Sequence, residues 1–91
     1  MIYYFESLGK DGFNIWQKDK NRYYNIAGLL WGQFDVTEIE KAVSYNSKEI
    51  KDEIEGPLIK LSFKEIEILI SMKNGSIQEI KEYIKKIIEK K

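Results

Sequence analysis

The pattern of large apolar side chains changes at Asp35, and that change constrains the fold more than any motif. Nine of the twelve aromatic residues precede it: Tyr3, Tyr4, Phe5, Phe13, Trp16, Tyr23, Tyr24, Trp31 and Phe34. Twelve of the fifteen isoleucines follow it. Aromatic side chains suit a pleated, half-buried surface, so the first third reads as β. The isoleucines recur at three- and four-residue spacing, which places them on one face of a helix. A 91-residue chain of this kind has material for one modest core. The expectation is a single α+β domain over 1–91, with a β-rich part at 1–34 and a helical part at 35–91.

The β part divides at its turn residues. Strands are expected at 1–7, 13–18 and 22–27, joined by Gly9-Lys10-Asp11-Gly12 and by Asp19-Lys20-Asn21. The result is a three-stranded antiparallel meander. Alternation sends Tyr3 and Phe5 to one face and Ile2 and Tyr4 to the other. In the second strand Phe13 and Ile15 oppose Asn14 and Trp16. Both faces carry rings, and only one of them can cover the helices.

Three to four helices are expected after Asp35. Asp35 with Glu38 has the form of an N-cap followed by an acidic third residue, with Val36, Ile39 and Val43 on one face. Ser47 can cap a short helix bearing Ile50 and Ile54, which Gly56-Pro57 ends. Ser62 with Glu65, and Ser76 with Glu79, are capping-box pairs, and Asn74-Gly75 separates the two helices they start. Ile77, Ile80, Ile84 and Ile87 then run to the C-terminus. Residues 58–63 alternate Ile59, Leu61 and Phe63 with Lys60 and Ser62, which suits either a connection or a fourth strand.

Fifteen basic and fifteen acidic residues cancel, but not locally. Residues 1–34 carry +1, residues 35–56 carry −4 and residues 57–91 carry +3. The absence of Cys and His removes disulfides, thiol nucleophiles, imidazole bases and nearly all zinc or copper sites. No phosphate loop or dinucleotide fingerprint is present, and the carboxylates fall at solvent positions of the expected helices. A non-enzyme without cofactor or metal is therefore the expectation. MIYYFESLGK lacks the basic opening and apolar run of a secretory peptide, and no apolar stretch is long enough to span a bilayer. A cytoplasmic chain without membrane contact follows as the default expectation.

Residues 37–54, TEIEKAVSYNSKEIKDEI, resemble the bihelical unit of helix-turn-helix proteins. Ile39 and Val43 take the apolar positions of the first helix, Ser44-Tyr45-Asn46 the turn, and Ile50 and Ile54 the buried side of the second. The resemblance implies that the second helix enters a major groove. Its residues Lys48 to Glu55 hold four acids against two lysines, a charge that phosphates repel. Residues 61–84 are similar to the first two helices of response-regulator helix-turn-helix domains, but a plain antiparallel helix pair joined by a Gly turn is the favoured reading.

Two functional readings follow. The first is a non-catalytic protein-binding module, an inhibitor or regulator of the kind encoded by phages and mobile elements, whose size and Lys/Ile/Asn/Glu bias the chain shares. Trp16, Tyr24 and Trp31 would be its anchors and Glu49, Asp52, Glu53 and Glu55 its acidic surface, facing a basic protein partner. The second is a nucleic-acid-binding transcriptional regulator, with Lys48 and Lys51 on the helix-turn-helix-like segment or Lys18, Lys20 and Arg22 beside the sheet aromatics. A homodimer through the Ile77, Ile80, Ile84 and Ile87 stripe is a further option.

Overall fold

The computed structural model describes residues 1–10 and 12–91, so Asp11, in the turn expected at Gly9 to Gly12, lies outside the described residues. Among the described residues the order is β1 (Ile2–Ser7), β2 (Phe13–Asp19), β3 (Arg22–Leu30), β4 (Gln33–Val36), a 3-10 turn (Ile39–Lys41), β5 (Ser44–Asn46), α1 (Ile50–Glu53), β6 (Ile59–Leu61), α2 (Phe63–Ser71) and α3 (Ile77–Lys90). The fold is α+β. Its strands form one antiparallel sheet of order β4-β3-β2-β1-β6, with β5 also paired to β3.

The expected meander is present as the middle of this sheet, but three strands become six. The reason lies in β3, which at nine residues outruns the hairpin expected of it. Its outer edge would leave a row of unpaired amides and carbonyls. Two short strands laid end to end cover that edge: β4 pairs with Ala27 to Leu30, and β5 pairs with Arg22 to Tyr24. Between them, the Asn25 amide donates to the Val43 carbonyl and the Thr37 amide to the Ile26 carbonyl, each at 2.9 Å. On the far side β6 pairs with Tyr3 to Phe5 of β1, which identifies residues 59–61 as a strand.

Residues 37–54 therefore do not form two packed helices. They form the 3-10 turn, β5 and the four-residue α1. Asp35 lies in β4 opposite Gly28 instead of capping a helix. Ser44, Tyr45 and Asn46, expected as a turn, are the strand β5. Ser47 is not the cap of α1. Asn46 takes that role for the turn ahead of it: its Oδ1 accepts from the Lys48 and Glu49 amides while its own amide donates to Glu49 Oε1.

The C-terminal helices follow their caps. Ser62 and Glu65 form a reciprocal capping box at the start of α2, and the Ser76 hydroxyl accepts from the Glu79 amide at the start of α3. The inward face of α3 presents Ile80, Ile84 and Ile87, with Ile80 fully buried. These join Ile66 and Leu69 of α2 and one sheet face, including Phe5, Phe13, Ile15, Leu29 and Phe34, in a single core. Burying each such side chain contributes about 2 kcal/mol, and Ile80, Ile84 and Ile87 of the isoleucine stripe are spent on this core.

The second face of the sheet is partly covered by the segment after β5. Trp16 and Ile50 are buried yet stand apart from the main core. The Trp16 ring lies against Tyr45, with centroids 6.0 Å apart. A bulge in β3 re-aims this face: Ile15 pairs with Ala27 but Trp16 with Asn25, which leaves Ile26 as the extra residue. The Asn25 side-chain amide donates to the carbonyls of Ile15 and Ala27 and so closes the bulge.

Candidate functional site

The β3–β4 hairpin is the feature the core does not explain. Its turn is Leu30-Trp31-Gly32-Gln33, with Leu30 opposite Gln33 and positive φ at both central residues, 52° for Trp31 and 76° for Gly32. Two positive angles in a two-residue loop match the handedness of the strands, the pattern of a type I′ turn. Asn or Gly normally takes the first position, because a larger side chain there is strained by about 1 kcal/mol or more. This chain places an indole there, 92% exposed, beside a half-exposed Leu30. The fold gains nothing from that placement.

The second sheet face leads away from the hairpin as a transverse row. Register places Glu6 of β1, Asn14 of β2, Gly28 of β3 and Asp35 of β4 side by side. At strand spacing the row is about 14 Å long. Gly28 is required within it. A Cβ there would meet the Asn14 Oδ1 at 3.0 Å and the Phe13 carbonyl at 3.3 Å. The bare backbone at Gly28 opens a depression of about 260 Å³, walled by Asn14, Asn25, Asp35, Thr37 and Leu30.

Glu6 closes the far end of the row and is fully buried. Its Oε1 accepts from the Trp16 indole at 2.8 Å and from the Asn14 side-chain amide at 3.2 Å. Its Oε2 accepts from the backbone amide of Glu55 at 2.5 Å. Three neutral donors thus converge on one carboxylate, and they tie the segment around α1 to the sheet. Glu6 is a tether between the second sheet face and the segment after α1. Sequence reasoning counted it only as a charge; its signal was an acid at an alternating position among strand aromatics.

The residues singled out from the sequence separate cleanly. Trp31 is at the surface, as an anchor must be. Trp16 is only 4% exposed and occupied with Glu6 and Tyr45, so it offers no surface to a partner. Tyr24 is half-buried and packs against the main core. Glu49, Asp52, Glu53 and Glu55 are all exposed and lie on the segment that Glu6 tethers to the second face. Lys48 and Lys51 are exposed within the same acidic segment. Lys18, Lys20 and Arg22 lie at the opposite end of β3, roughly 26 Å from the hairpin tip. There the Lys18 ammonium sits 5.6 Å from the Tyr23 ring centroid, and Arg22 donates to the Ser44 hydroxyl and carbonyl.

Sequence reasoning missed Asp35, Asn14, Asn25 and Thr37 as neighbours. They come from β2, β3, β4 and the residue just after β4, and only the register brings them together.

Among the described residues no group of three or more acidic side chains is placed to hold a metal ion. No helix among them is long and apolar enough to cross a membrane. Comparison of the chain with protein-family models, with curated proteins and with solved structures found no match.

Proposed function

We propose that the chain is a non-catalytic protein-binding module, an inhibitor or regulator, that docks through the Trp31 hairpin and its acidic flank onto a basic surface of another protein. The observation that carries this reading is Trp31 itself: an indole 92% exposed at a positive φ where Asn or Gly would be easier. Trp is the residue type that most often anchors an interface, through large buried area and few rotatable bonds. Strain at an exposed residue that packs on nothing is explained by what binds it.

The flank supplies sign and direction. Asp35 follows the hairpin on β4, and exposed Glu38 and Glu40 continue the acidic run. The α1 acids sit across the same face, held there by the Glu55 to Glu6 bond. Complementary charge of this kind steers encounter and discriminates among partners more than it adds affinity. It also works against nucleic acid on this face, because phosphates supply most of such binding.

The test is a tagged chain expressed in its native cell and recovered with its bound partners, compared with a Trp31→Ala variant. A protein that the wild type retains, that raised salt weakens and that Trp31→Ala loses by tenfold or more supports the reading. Retention of nucleic acid that survives Trp31→Ala and is lost with Lys20→Ala and Arg22→Ala together overturns it.

A further inference from the structure

The depression over Gly28 has a donor and acceptor balance that selects its occupant. Asn14 donates its side-chain NH2 to Glu6, and its Oδ1 lies over Gly28. Asn25 spends its NH2 on the carbonyls of Ile15 and Ala27, which leaves Oδ1 as its remaining polar atom. Asp35 accepts from Gln33 at 3.0 Å through Oδ1, and among the described residues it has no basic side chain as a partner. Thr37 contributes a hydroxyl, and Leu30 an apolar wall. Three residues with acceptor capacity to spare, one of them a carboxylate, thus line about 260 Å³, and both of the side-chain amides there already donate elsewhere.

From this geometry we infer that the depression is a guanidinium site, and that it takes an arginine side chain of the protein partner. Guanidinium carries five N–H donors in a planar fork and no acceptor, which complements a trough of acceptors. Its weak hydration makes it cheaper to desolvate than an ammonium, so arginine is favoured over lysine. The pairing with Asp35 is charge-assisted. Leu30 lines the depression and Trp31 follows it at the turn of the same hairpin, so the depression and the exposed indole belong to one end of the β3–β4 pair. This inference rests on the protein-binding reading and gives that partner a required residue: one arginine at the centre of its docking surface.

The test uses the free, isotope-labelled chain and three small probes: the Nα-acetyl amides of arginine, lysine and citrulline. Citrulline has the shape of arginine with a neutral urea in place of the guanidinium. Arginine amide is expected to give saturable NMR shifts at the Asn14 and Asn25 side-chain amides and at the Gly28 and Thr37 backbone amides. Lysine amide binds more weakly and citrulline amide weaker still. Asp35→Asn, an exposed and nearly isosteric change whose fold the same spectrum reports, weakens arginine amide about tenfold. Shifts that never saturate, equal responses to arginine and citrulline, or an Asp35→Asn variant that binds arginine amide as the wild type does would each overturn the assignment. No partner is present in this titration. A negative result therefore removes the arginine site alone, whereas partner binding that survives Trp31→Ala removes the reading beneath it and leaves the measured arginine affinity standing.

Discussion

The indole of Trp16 donates to the buried carboxylate of Glu6 at 2.8 Å, and this pair fixes which aromatic residues of the chain are free to act. Glu6 also holds the Asn14 side chain and the Glu55 amide, so one buried acid ties the far end of the acidic segment to the sheet. Trp16 is consumed in that arrangement; Trp31 is not.

Glu6→Gln puts a side-chain NH2 among N–H donors and leaves at least one of them without an acceptor. The expected cost is about 2–3 kcal/mol in urea denaturation. Hydrogen exchange at the Glu55 amide should quicken by more than global destabilisation accounts for, because its acceptor is the atom replaced. Unchanged protection at Glu55 would show that the tether does not hold the segment.

Trp31→Asn should stabilise the chain while weakening partner binding. Asn tolerates positive φ at the first position of a type I′ turn, and the exposed indole contributes no packing. A gain of about 0.5–1 kcal/mol is expected in thermal or chemical unfolding. A loss of stability instead would mean that the indole packs on the fold and is no spare anchor.

The hairpin shows why part of the fold was legible in the sequence and part was not. The first three strands and the last two helices are announced by local signals: alternation bounded by Gly or Asn, and Ser followed three residues later by Glu. Residues 35–46 carry an equally good local signal for a helix, with Asp35 as cap and Val36, Ile39 and Val43 on one face, yet they form the end of β4, a 3-10 turn and β5, and only the short helix expected around Ile50 is present, as α1. What decides the matter is the free edge of β3, and nothing between Asp35 and Ile54 encodes it. Pairs such as Tyr23 with Tyr45 and Gly28 with Asp35 are settled by register. The exposed Trp31 was visible as an aromatic residue next to Gly32, but its distinction from the buried Trp16 was not, since alternation alone places both on strands or their ends. The trough over Gly28 was invisible for the same reason as β4.

The cap of α2 predicts a pH signature. Burial by itself raises the Glu65 carboxyl, but the hydrogen bond from the Ser62 amide, together with the bond and charge of Lys91, outweighs it, and the group titrates below its ordinary value of 4.5. A carboxyl lowered on folding stabilises the protein above its unfolded value, and that contribution is lost as pH falls through the lower, folded value. Ser62→Ala and Glu65→Gln should each cost about 1 kcal/mol at neutral pH through the capping box. For Glu65→Gln the difference from wild type should shrink on acidification through that window. A cost independent of pH in stability curves of the two chains would contradict this. Lys91 bonds Glu65 at 3.0 Å near the surface, so added salt should reduce only a small part of the effect.

Ile80 is the most completely buried residue of α3, and Ile80→Ala is expected to cost about 2–4 kcal/mol through lost burial and the cavity left behind. Ile77→Ala, at a half-buried site one turn earlier, should cost clearly less. Equal costs in denaturant unfolding would mean that α3 is rotated about its axis relative to this packing.

In the proposed reading, Trp31 is the point of contact with a protein. That contact is tested most directly by placing a photo-crosslinking phenylalanine analogue at position 31, with position 63 as the control, since Phe63 is also exposed but lies on α2. Irradiation in the native cell should join position 31, and not position 63, to a protein through a peptide rich in arginine and lysine. Equal labelling from both positions, or adducts at position 31 with nucleic acid and no protein, would contradict the account.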